Sequence, residues 1–80
     1  MIDTNENAFL TRDLGEASFL YASGRKLIQL IKEDGRFSFA FDDKLTCQKL
    51  IDKLWRREAV VNAKELLDAM RSLKDLIFTR

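Results

Sequence analysis

The dipeptide Asp34-Gly35 stands between two runs, residues 26–33 and 36–41, that are rich in apolar and β-prone side chains. A type I′ turn needs positive φ at both central residues, which Asp tolerates and Gly adopts without steric cost, so this pattern predicts a two-residue β-hairpin. A loop of that length also sets the register. Glu33 falls opposite Arg36, Lys32 opposite Phe37, Leu30 opposite Phe39 and Ile28 opposite Phe41. Ile28, Leu30, Phe37, Phe39 and Phe41 then share one face, which must be covered by helices. The other face carries Leu27, Gln29, Ile31, Ser38 and Ala40. It is half apolar, and Leu27, Gln29 and Ile31 are the candidate contacts for a protein partner.

Helix signals surround the hairpin. Asp13 and Glu16 have capping-box spacing, and the run that follows ends at Gly24, so a first helix is predicted over residues 13–23. Its apolar members Leu14, Ala17, Phe19, Leu20, Tyr21 and Ala22 occupy most of the circumference, which predicts cover on more than one side. Asp42 or Asp43 caps a second helix, on which Cys47, Leu50, Ile51, Leu54 and Trp55 recur at helical spacing. Asn62 and Glu65 repeat the capping-box spacing ahead of a third helix reaching Phe78, whose buried stripe is predicted as Ala63, Leu66, Met70, Leu73 and Ile77. Ala8 to Thr11 form a short first strand, and Val60-Val61 form either a short edge strand or a hydrophobic staple for the third helix. The expected fold class is α+β, a small domain in which a hairpin over about 26–33 and 36–41 packs against three helices in the order (β)αββα(β)α. Residues 1–7 form an N-terminal arm and residues 8–80 the single domain.

Eighty residues have room for one core. A chain this short buries only about 60 to 65% of the surface that its unfolded form exposes, so contact with a partner or a second copy adds needed stability. Fourteen basic and thirteen acidic side chains leave a formal charge of +1, which excludes a global field that steers the chain to nucleic acid or anionic lipid. Cys47 is the single cysteine, so no internal disulfide forms. The polar N-terminus lacks the basic start and apolar run of a signal peptide, and no later run approaches the ~18 residues of a membrane span. The expected setting is cytoplasmic, without membrane association.

The chain contains no histidine. That removes the commonest neutral-pH general base and metal ligand, and with one cysteine it excludes Cys/His zinc sites and His-activated nucleophiles. The three glycines form no phosphate-binding motif. Asp42-Asp43 reads as a helix cap rather than a cation site, and Cys47 as a core thiol. The Phe37, Phe39 and Phe41 stripe lacks the spacing and the second aromatic strand of an RNA-stacking platform, so it reads as core. No catalytic residue, metal, cofactor or small-molecule ligand is predicted. Two surfaces are left. Lys49, Lys53, Arg56 and Arg57 form a stripe on the second helix that could contact nucleic acid through its phosphates. Trp55, at the border of the apolar face, joins Leu27, Gln29 and Ile31 as a candidate protein contact. The leading expectation is a non-enzymatic protein-interaction module, self-associating or bound to another protein, with a nucleic-acid-associated regulator as the alternative.

Phe9-Leu10-Thr11-Arg12-Asp13-Leu14, followed by Ala17, Leu20, Gly24, the strand Gly35-Arg36-Phe37-Ser38-Phe39-Ala40-Phe41, Trp55, Asn62 and Leu73-Lys74-Asp75-Leu76, resembles an uncharacterised family of short bacterial single-domain proteins. The likeness covers about residues 8–78. It implies a stand-alone domain of unknown function and supplies no catalytic residues.

Overall fold

The computed structural model describes residues 7–79, so the arm expected over residues 1–7 lies, apart from Asn7, outside the described residues. The elements are β1 (Ala8–Thr11), α1 (Leu14–Ala22), β2 (Leu27–Glu33), β3 (Arg36–Asp42), α2 (Lys44–Trp55) and α3 (Ala63–Phe78). Asp34 and Gly35 take φ of 53° and 77°, as a type I′ hairpin requires. The three strands form an antiparallel sheet in the order β1-β3-β2, with the aromatic strand at its centre. This is the expected α+β domain, except that Val60 and Val61 join no sheet.

The predicted register holds from Glu33–Arg36 through Leu30–Phe39 to Gln29–Ala40 and then slips. Leu27, not Ile28, pairs with Phe41, because Ile28 and Gln29 together oppose Ala40 in a β-bulge. The extra residue reverses the facing of the start of β2. Leu27 joins Phe41 and Phe39 on the helix-covered face and packs against the core, while Ile28 is 38% exposed. Leu27 therefore leaves the set expected on the open face. That face instead carries Gln29 and Ile31 with Leu10, which lies opposite Ala40 and is 48% exposed.

The core joins Phe39 and Phe41 to Ala17, Phe19 and Leu20 of α1, Cys47 and Ile51 of α2 and Leu73 of α3. Each large apolar side chain removed from water here contributes roughly 1.5–3 kcal/mol. Phe37 is half-buried, with the Lys32 ammonium 5.8 Å from its ring centre. Burial of four consecutive α1 residues, Ala17 to Leu20, shows that this turn of the helix is enclosed, and α1 packs against α3, α2 and β1. The Ser18 hydroxyl is buried and has no hydrogen-bond partner among the described residues. On α3 the buried stripe is rotated from the expected one. Ala69 and Leu76 replace Ala63 and Met70 beside Leu66, Leu73 and Ile77, since apolar residues cover so much of this helix that spacing alone leaves its rotation open.

Candidate functional site

The N-terminus of α1 carries the residues from which the site is built. Asp13 caps the helix through a 2.9 Å bond from the Glu16 N–H, which is half of a capping box. The other half is not made. The Asp13 N–H donates to the Thr11 hydroxyl at 3.1 Å, leaving the Glu16 carboxylate to accept from the Thr11 hydroxyl and from the Trp55 indole N–H, both at 2.7 Å. Glu16 thus ties the end of β1 to the last turn of α2. Trp55 is held by its N–H while 66% of the residue stays exposed, a pinned aromatic surface rather than a core residue.

Beside this indole lies a cleft of about 460 Å³ between α1, the end of α2 and the start of α3. Phe19, Leu54, Val61 and Leu66 supply its apolar walls, and Asp13, Glu16 and Arg57 its charged rim. Val61 immediately precedes the Asn62 cap and Leu66 stands at the fourth helical position, the spacing of a hydrophobic staple, so the staple reading of Val60-Val61 describes this segment better than a strand. Val60 points away and is 96% exposed.

Arg57 reaches the rim through strained backbone. α2 ends with the Arg57 N–H on the Leu54 carbonyl and the Glu58 N–H on the Lys53 carbonyl, a Schellman motif in which Arg57 occupies the left-handed position at φ 62°. Glycine is preferred there because a Cβ in this conformation costs roughly 1–2 kcal/mol.

The residues singled out in the sequence are dispersed. Gln29 and Ile31 lie on the open sheet face, Leu27 packs under the opposite face, and Trp55 borders the cleft. Lys49 and Lys53 are exposed on α2. Arg56 is engaged by Asp52 at 3.2 Å and Glu58 at 3.4 Å, and Arg57 turns out of the stripe to the cleft. Asp43 caps α2 through the Thr46 N–H and hydroxyl, and these bonds hold its carboxyl below the ordinary carboxylate range. Burial pushes the Cys47 thiol up, and the thiol donates to the Asp42 carbonyl at 3.4 Å, a core placement. Sequence reasoning missed the cleft, since its walls come from three separate elements. The available signal was Thr11 two residues ahead of the Asp13 cap, a competing partner for both groups of the second half of the capping box, the Asp13 N–H and the Glu16 carboxylate.

A family model described as a domain of unknown function, DUF5659, matches residues 6–79. No curated protein and no solved structure was found to match the chain. No helix among the described residues is long and apolar enough to cross a membrane.

Proposed function

Since the chain belongs to the DUF5659 family, whose description assigns no chemistry, we propose from its geometry that it is a non-enzymatic protein-interaction module docking partners at the cleft beside Trp55. The observation that carries this reading is the indole itself, fixed by Glu16 yet largely exposed. A rigid aromatic at the mouth of an apolar pocket loses little conformational entropy when covered, which is why tryptophan is over-represented among residues that dominate binding energy. Glu16 already has both oxygens in hydrogen bonds, which fits a structural carboxylate better than a general base.

The nucleic-acid reading has less support, because with Arg56 engaged by two carboxylates the stripe offers chiefly Lys49 and Lys53 to phosphates. The test is selection from a displayed random-peptide library on the immobilised full chain, with Trp55→Ala in parallel. Peptides retained by the parent and lost from Trp55→Ala support the proposal. Equal retention by both, or no enrichment, overturns it. A second copy of the chain is an alternative occupant, and sedimentation across a concentration range reads it directly.

A further inference from the structure

The cleft is asymmetric in what it holds fixed. Asp13 is immobilised by its cap bond and Glu16 by two hydrogen bonds of 2.7 Å, and neither has a basic group within 4.0 Å among the described residues. The donors that hold them are neutral, so their negative charge is not cancelled. The α1 N-terminus offsets about half a unit of it. Arg57 is the opposing charge on the rim, but its guanidinium makes no hydrogen bond or ion pair with the described residues and is free to rotate into water. The preorganised field at the cleft is therefore negative, and it lies against an indole face and apolar walls. The backbone N–H and carbonyl of Val61, which lines the cleft, also have no hydrogen-bond partner among the described residues, so one main-chain donor and one acceptor are open beside it.

Resting on the docking reading above, we infer that the cleft recognises a peptide segment of a partner protein carrying an apolar side chain next to a lysine or arginine. The apolar side chain fills the space among Phe19, Leu54, Val61 and Leu66. The basic one lays its methylenes on Trp55 and its charge against Asp13 and Glu16, combining ion pairing with a cation–π contact. The peptide main chain pairs with the open groups of Val61, as in other modes of recognition that use backbone hydrogen bonds.

The test uses peptides enriched on the full chain, with affinities measured calorimetrically at two salt concentrations for the parent, for the double variant Asp13→Asn/Glu16→Gln, and for Arg57→Gln. These changes keep the fold. Asn caps a helix as well as Asp, and Gln can accept from the Trp55 N–H while donating to the Thr11 hydroxyl. The expected result is an apolar-basic consensus whose affinity falls about tenfold in the double variant, weakens with salt, and rises in Arg57→Gln. An apolar-acidic consensus weakened by Arg57→Gln would overturn this inference and leave the docking reading in place. Binding independent of Trp55 would overturn both.

Discussion

α1 and α2 belong to the same small core, yet one is buried on every side over a full turn, Ala17 to Leu20, and the other along a single stripe. α1 ends at Gly24, whose φ of 88° is unstrained for glycine, and its C-terminus is closed by the Gly24 N–H on Tyr21 and the Arg25 N–H on Leu20. α2 closes with the same pair of bonds but places Arg57 in the left-handed position, and it begins at Asp43, also left-handed at φ 64°. Two non-glycine residues in sparsely populated conformations thus bracket the helix that carries Trp55 and borders the cleft. The enclosed helix is optimised for packing. The half-exposed one retains strain, and such strain is commonest where a surface is used.

The contrast is broken most directly through the core. Leu20→Ala removes a fully buried side chain on α1 and is expected to cost about 2–5 kcal/mol, much of the stability available to a domain of this size. Leu45→Ala, at a residue 61% exposed on α2, should change stability by no more than about 0.5 kcal/mol. Urea unfolding of the two variants measures both. Similar losses would mean that α2 is as firmly enclosed as α1.

The paired helix ends give a finer comparison. Gly24→Ala introduces a Cβ into open space, so no clash contributes and the expected loss of about 1 kcal/mol is backbone strain alone. Arg57→Gly relieves the corresponding strain and should stabilise by about 0.5–1 kcal/mol after the greater freedom of glycine in the unfolded chain is counted. In a domain of this size about 1 kcal/mol moves the thermal midpoint by roughly 4–8 °C, so opposite shifts are readily seen by circular dichroism. A drop in stability for Arg57→Gly would mean that the arginine side chain makes compensating contacts, contrary to its role as a retained, strained rim residue.

The enclosed half of this comparison was the more legible in sequence. Asp34-Gly35 specified the turn because few dipeptides tolerate two positive φ angles, and the all-round apolar pattern of α1 announced its enclosure. The bulge at Ile28 was hidden for a related reason. Leu27, Ile28, Leu30 and Ile31 place apolar groups on both faces of β2, so alternation could not distinguish the two registers. The cleft was hidden because its defining bond, Glu16 to Trp55, spans 39 positions and depends on Thr11 displacing the carboxylate from its local role. Local patterns report local partners. A side chain diverted to a distant one keeps the spacing of the motif it has left.

Asp43, at the other end of α2, supplies the smallest test. The Thr46 hydroxyl and N–H bond its ionised form, with a lesser contribution from Arg25 at 3.8 Å, so its folded carboxyl lies below the ordinary 3.8. A group whose pKa is lowered on folding contributes stability that is fully present above the unfolded value and is lost as pH falls through the folded one. The expected loss therefore begins near pH 4 and deepens below it. Asp43→Asn keeps a side-chain oxygen for the Thr46 N–H and a residue type that tolerates left-handed backbone but loses the charge, so at pH 7 it should be slightly less stable than the parent. Between pH 5 and 2, as about the range over which such a carboxylate titrates, it should lose less stability than the parent, because one acid-sensitive group has been removed. Carboxyl carbon shifts followed by NMR give the titration directly, and a midpoint for Asp43 at or above 3.8 would show that Thr46 does not hold the charged form, leaving the left-handed start of α2 without the bonds that offset its strain.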